Sequence, residues 1–267
     1  MRAVRSLALV ASLLVACVGG AQVDSPASAA ARPFANTEAE VAAALAQPGR
    51  DAKDLERDAR DRPAATLGLL GVTRGARVLD LFSGGGYYAE IAARVVGESG
   101  RVVLHNNRAY LSFAGKALAA RLAARPFAQL ERLDREIEAL GLAGEIDAAI
   151  VSLAYHDAYW TPKPEEGEWT VTRDPLMAAL HAALRPGGRV LVIDHAAIDG
   201  SGNAAAQELH RIEEAFARAD FERAGFRFVG SSDALRNKND ARTLNVFDPQ
   251  IRGATDRFVL VFEKLGP

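Results

Sequence analysis

Short apolar runs bounded by Gly, Pro, Asn or Asp recur along the chain from residue 77 onward, separated by longer stretches with helical spacing of apolar positions. Runs of this kind predict strands over residues 77–81, 100–105, 128–133, 146–153, 188–194, 226–231 and 258–263. Between them, the 3.6-residue pattern predicts helices over 88–96, 112–124 and 174–184, and a long one over 204–224 that Gly225 closes. Alternation of strand and helix implies an α/β fold, a mostly parallel seven-stranded sheet with helices on both faces. The last two strands are separated by the polar stretch 233–256, which carries no strong helix signal, so they are expected to form a C-terminal antiparallel β-hairpin.

Ahead of residue 77 the pattern changes. Residues 37–45 open with Thr37-Glu38-Ala39-Glu40 before an Ala-rich run and are expected to form a short helix that Pro48-Gly49 ends. Residues 19–34 are rich in Gly, Ala, Ser and Pro without periodicity, the composition of a flexible tether. Arg2 and Arg5 followed by a short apolar run over 6–16 read as an export signal, too short to span a bilayer. Leu14-Val15-Ala16-Cys17 resembles a bacterial lipobox, which implies lipid attachment to Cys17; the plain alternative is a chance Cys in a generic signal peptide. No intramolecular disulfide is possible, because Cys17 is the only cysteine. Val18 after it favours the outer membrane of a Gram-negative cell. The expected organisation is a lipoprotein signal over 1–17, a linker over 18–36 and one folded domain over 37–267, exported to the periplasm and tethered to a membrane.

Composition changes this picture little. With 267 residues, 49% hydrophobic, the chain can bury one large core. Its 32 Lys plus Arg against 34 Asp plus Glu leave no basic excess, so nucleic acid is not the expected partner.

Candidate chemistry begins at Val78-Leu79-Asp80-Leu81-Phe82-Ser83-Gly84-Gly85-Gly86, a strand running into a Gly-rich turn that opens a helix. Glycines there let the backbone approach a ligand at the carboxyl end of the first strand, where doubly wound sheets bind nucleotides. A dinucleotide fingerprint is absent: Phe82 stands where its first Gly belongs, and no Gly follows three residues after Gly86. The segment instead resembles motif I of class I, Rossmann-like methyltransferases that use S-adenosylmethionine. Leu184-Arg185-Pro186-Gly187-Gly188 before an apolar strand, and Arg223-Ala224-Gly225-Phe226, are similar to the same family. The resemblance implies that Asp80, Phe82, Ser83, Gly84, Gly85 and Gly86 bind S-adenosylmethionine, with the glycines beneath its methionine part. It also implies that Asn106, or its neighbour Asn107, meets the ribose hydroxyls where the family usually carries an acid, with weaker bonds than a carboxylate makes. Asp134 is implied to accept from the adenine amino group; as an N-cap of a helix over 135–140 it has a second, compatible reading.

The resemblance narrows to a bacterial group of exported predicted methyltransferases through Tyr155-His156-Asp157, the tail over 236–258 and the Arg57-Asp58 and Arg62-Pro63 run. For the last of these, a solvated helix face is the plain alternative. Acceptor chemistry belongs at the carboxyl edge of the fourth and fifth strands, which gathers Tyr155, His156, Asp157 and His195, with Tyr87 and Tyr88, around one crevice. His156 or His195 could take a proton, and Asp157 could orient either. No ligand spacing such as His-Glu-x-x-His occurs, so no metal site is expected. The leading expectation is a methyltransferase acting on a small-molecule or cell-envelope acceptor. An exported protein meets little S-adenosylmethionine, so the rival is a binding or scaffolding lipoprotein that keeps the fold without turnover. A third option is hydrolytic or metal-dependent chemistry at the Tyr155, His156, Asp157 and His195 cluster.

Overall fold

In the computed structural model, β1 (Arg77–Leu81), β2 (Arg101–Asn106), β3 (Leu130–Asp134), β4 (Ile146–Ser152) and β5 (Leu184–His195) run parallel to one another. β7 (Arg257–Lys264) lies antiparallel between β5 and β6 (Phe226–Ser232), which completes one sheet in the order β3-β2-β1-β4-β5-β7-β6. The structure describes residues 37–163 and 169–266, all within the compact unit Pro33–Pro267. The expected signal, the Cys17 anchor and the tether fall outside the described residues. Among the described residues no helix is long and apolar enough to cross a membrane.

Strand alternation divides the core between the two sheet faces. Leu79, Leu81, Val103, Ala149, Val151, Val190 and Val192 pack on one face. Val78, Val102, Leu104, Ala148, Ile150, Leu191 and Ile193 pack on the other. Each such fully buried Val, Leu or Ile side chain stabilises the fold by roughly 1.5–3 kcal/mol, before the entropy of ordering it is set against that gain.

Eight helices flank the sheet among the described residues: α1 (Glu38–Leu45), α2 (Ala52–Asp61), α3 (Pro63–Leu70), α4 (Tyr87–Val96), α5 (Arg108–Ala124), α6 (Arg173–Ala183), α7 (Ala206–Leu209) and α8 (Glu214–Arg223). Three departures from the sequence pattern bear on the site. First, α2 and α3 were not foreseen, because the face that α2 buries is acidic. Asp54 and Asp61 are buried, and Asp54 pairs with Arg121 while Asp61 pairs with Arg57 and Arg257. The Arg57-Asp58 run is therefore not a solvated face: Arg57 lies 3.9 Å over the Tyr87 ring, and the Tyr87 hydroxyl donates to Asp58 at 2.7 Å.

Second, α5 begins four residues earlier than its apolar pattern does, at Arg108 rather than 112, because the Asn107 side chain accepts the Tyr110 N–H at 3.0 Å and caps it. Third, the long helix over 204–224 breaks in two. His210 takes the left-handed conformation with φ 52°, Arg211 is fully buried, and the Ile212 N–H donates to the His195 carbonyl at 3.0 Å. Arg211 donates to Asp240 at 2.8 Å and to the carbonyls of Ala196 and Leu244, so this turn is pulled onto the end of β5 and the loop before β7.

Candidate functional site

The turn after β1 is built from one buried carboxylate and one buried amide. Asp80 accepts from the Ser83 hydroxyl, and burial raises its carboxyl to about 7 against the lowering effect of that bond and of the Ala89 N–H. Phe82 adopts φ 52°, unusual for a residue with a side chain, and its ring stacks on Tyr110 with centroids 4.9 Å apart. Asn106, at the end of β2, accepts the Gly84 N–H at 2.8 Å and donates to the Gly84 carbonyl at 3.1 Å. Both ends of its carboxamide are thus committed to the turn. Behind the turn, Arg121 donates to the Gly85 carbonyl at 2.7 Å while pairing with Asp54 and Glu90.

The three glycines differ in what surrounds them. A Cβ at Gly84 or Gly85 would meet nothing within 4 Å, whereas one at Gly86 would meet Leu104 at 3.0 Å, Leu118 at 3.2 Å and Arg121 at 3.3 Å. Gly86 therefore faces the protein, and the open side of the turn belongs to Gly84 and Gly85. Near Phe82 on β2 lies His105, whose Nε2 bonds the Arg135 carbonyl at 2.9 Å and whose buried Nδ1 has no partner. Burial lowers this imidazole to about 4, so at neutral pH Nδ1 is an unused acceptor.

A second group gathers after β4 and β5. Asp194, fully buried at the end of β5, accepts the His156 backbone N–H at 2.8 Å, the His156 Nδ1 proton at 2.7 Å and the His195 backbone N–H at 2.7 Å. Burial disfavours the charged His156 ring, but Asp194 and Asp157 outweigh it and raise the ring to about 9. Burial and the neighbouring cations His156, Arg257 and Arg211 outweigh Asp194 at His195 and lower that ring to about 3; its Nδ1 lies 2.7 Å from the Thr255 hydroxyl. Burial raises the Asp157 carboxyl, which accepts from the Tyr110 hydroxyl at 2.5 Å. Tyr110 thereby joins the two groups, one ring stacked on Phe82 of the turn and one hydroxyl on Asp157. Aromatic rings continue the wall: Tyr110 meets Trp169, Trp169 meets Trp160, and Trp160 and Phe247 meet His210.

Of the residues picked from the sequence, the structure brings His156, Asp157 and His195 together and sets Asp80, Phe82, Ser83, Gly84, Gly85 and Asn106 at one turn. Asp194, rather than Asp157, holds the His156 ring. Tyr155 is turned away: it is fully buried, and its hydroxyl donates to Asp220 of α8 at 2.6 Å. Asp134 lies half-exposed beside Asn106 on β3, paired with Arg132. It caps no helix; Ile137–Ala139 is a single 3₁₀ turn preceded by Glu136. Tyr87 and Tyr88 belong to the core on the opposite sheet face from Phe82 and Tyr110. Sequence reasoning passed over Asp194, Tyr110 and His210, the last because it sat inside a predicted helix. Asp194 could have been found, since it directly precedes His195 at a strand end.

Residues 58–123, from α2 into α5, match the family model described as protein-L-isoaspartate(D-aspartate) O-methyltransferase. Among solved structures, the chain is similar to a SAM-dependent methyltransferase from Aquifex aeolicus, with 16% identity and a TM-score of 0.55 over 85% of this chain and 98% of that one. It is similar to a putative sarcosine dimethylglycine methyltransferase from Galdieria sulphuraria at 15% identity and a TM-score of 0.54, over 80% and 88% of the two chains. The cyclase SpnF matches at 15% identity and a TM-score of 0.52, over 87% and 94%. A comparison with curated proteins found no match. Likeness at this identity shows the fold: the chain has the Rossmann-like methyltransferase fold.

Proposed function

We propose that the chain binds S-adenosylmethionine at the turn after β1 and transfers its methyl group to a small-molecule or cell-envelope acceptor held against the aromatic wall. The observation that carries this reading is the open side of Gly84 and Gly85, where a backbone with no side chains faces away from the protein at the carboxyl edge of β1. The matched family model over 58–123 supports it. The cofactor supplies a methyl group on a positively charged sulfur. Gly84 and Gly85 would lie against its methionine part, and His105 Nδ1 offers an unused acceptor on β2. Asn106 serves by fixing Gly84, and Asp134 is the carboxylate at the neighbouring strand end for the adenine amino group. The rings from Tyr110 to Phe247 favour a flat, apolar acceptor. Where that acceptor carries a proton, the neutral ring of His195, 5.9 Å from that of His156, is the group that would take it.

The test is calorimetry of the full chain with S-adenosylmethionine and S-adenosylhomocysteine, followed by a transfer screen with radiolabelled methyl donor. Saturable binding with transfer to a small phenol, quinone or envelope lipid is the expected result; no binding to either ligand sinks the reading. The rival, a binding or scaffolding role without turnover, is favoured by one observation: the residue ending β2 is an uncharged amide already spent on Gly84. Binding without transfer would establish it. We further propose, on the sequence alone, that Cys17 carries a lipid and places the protein at a periplasmic membrane surface. Fractionation of Cys17→Ser tests this, with release from the membrane fraction expected and an unchanged fraction overturning it.

A further inference from the structure

We infer that His156, Asp157 and His210 form a site for one first-row divalent metal ion of the zinc class. One ligand atom from each lies within 4.8 Å of the other two. His156 Nε2 is 3.3 Å from Asp157 Oδ1, and His210 Nδ1 is 3.9 Å from the same oxygen. Ligands about 2.0–2.2 Å from a tetrahedral zinc ion stand roughly 3.3–3.6 Å apart, so the first pair is already at bonding separation and the second needs a shift of a few tenths of an ångström.

The outer atoms of two ligands are held in the way metal ligands are held. Asp194 accepts the His156 Nδ1 proton at 2.7 Å, which orients the ring so that Nε2 is the nitrogen left for the ion, and binding there releases the Nε2 proton. Tyr110 donates to Asp157 Oδ2 at 2.5 Å, which leaves Oδ1 turned toward the two imidazoles. His156 and Asp157 are buried, and His210 keeps 19% of its side chain exposed, so an entry path exists on its side. A proton shared between His156 and Asp157 is the competing occupant, but 3.3 Å is long for a hydrogen bond.

The third ligand is delivered by a break in regular structure. His210 stands at φ 52°, a conformation disfavoured for a residue with a side chain, and Arg211 beside it is locked by Asp240. Without that break the predicted helix over 204–224 would run on through His210. Two imidazoles and one carboxylate suit zinc, iron(II), cobalt or manganese and leave at least one position for an oxygen-donor ligand. The inference stands apart from methyl transfer, since binding of the ion requires no cofactor.

The experiment is titration of the chelator-stripped full chain with cobalt(II), followed by visible absorption and by equilibrium dialysis with metal analysis. One saturable equivalent per chain, with absorption bands of a low-coordinate cobalt centre that zinc displaces, is the expected result. His210→Ala should lower affinity more than about tenfold, and Tyr110→Phe should lower it by about tenfold, as loss of an outer-shell partner does. His181→Ala, on α6 and outside the cluster, should leave it unchanged. Because His156→Ala could unfold the chain, His210→Ala decides the matter: circular dichroism verifies its fold, and unchanged stoichiometry and affinity there overturn the assignment. Absence of a saturable equivalent in the unaltered chain overturns it as well.

Discussion

Asn106→Asp would place a carboxylate where the related fold commonly carries one, and the structure says that the exchange is harmful. The amide spans the Gly84 peptide, accepting its N–H at 2.8 Å and donating to its carbonyl at 3.1 Å. A carboxylate keeps the first bond and loses the second. It then sets a charged oxygen about 3 Å from a carbonyl oxygen with no proton between them. Leaving a buried acceptor unsatisfied costs about 1–3 kcal/mol, and since Asn106 is fully buried the new charge adds a desolvation cost unless the carboxylate takes up a proton. A loss of about 2–4 kcal/mol at neutral pH is expected, smaller in acid, where a protonated carboxyl can donate to Gly84 as the amide does. Urea unfolding at two pH values measures it, with S-adenosylhomocysteine calorimetry on the same samples. The reasoning fails if Asn106→Asp is as stable as the parent and binds the ligand more tightly, because Asn106 would then be a ribose ligand and not a clamp on the turn.

Four further outcomes follow from the structure. Gly85→Val meets open space and needs no positive φ, so it should change stability by less than about 0.5 kcal/mol while abolishing cofactor binding. Gly86→Val should instead destabilise by about 2–4 kcal/mol through its left-handed backbone and its contacts with Leu104 and Leu118; chemical denaturation of the pair checks both. At Asp61, burial alone would raise the carboxyl, but Arg57 and Arg257 overcome it and hold it at about 2. Its folded value lies below its unfolded one, so its contribution of about 2 kcal/mol is present above pH 4 and is lost as pH falls toward 2. Asp61→Asn should therefore flatten acid unfolding in that window. Asp240→Asn leaves Arg211 buried without its charge partner and should cost about 3–5 kcal/mol by urea unfolding, with Arg211→Met recovering part of the loss in the double variant.

The sheet was readable because strands buried on both faces are written as unbroken apolar runs, and the turn was readable because the left-handed backbone at Gly84 and Gly86 favours glycine. Elements held by charge were not readable. α2 buries acids against arginines drawn from α5 and β7, and polar residues of that kind look like a surface until their distant partners are known. His210 was hidden for a related reason. A helix pattern over 204–224 is locally consistent, and what ends it is Asp240, 29 residues beyond Arg211, pulling the arginine inward. Tyr155 was misplaced in the opposite sense. It follows a strand as a site residue would, yet Asp220 on α8 takes its hydroxyl, and Tyr159 binds the same carboxylate at 2.5 Å. In this chain the groups that face one another across the site arrive from β4, β5, α5 and the broken helix, each oriented by a partner remote in sequence. Tyr110 bears this out: nothing local distinguishes it, yet it touches both Phe82 of the turn and Asp157 of the cluster. One physical link between the turn and the cluster therefore runs through this side chain, whose placement depends on Asn107 starting α5 early enough to carry it.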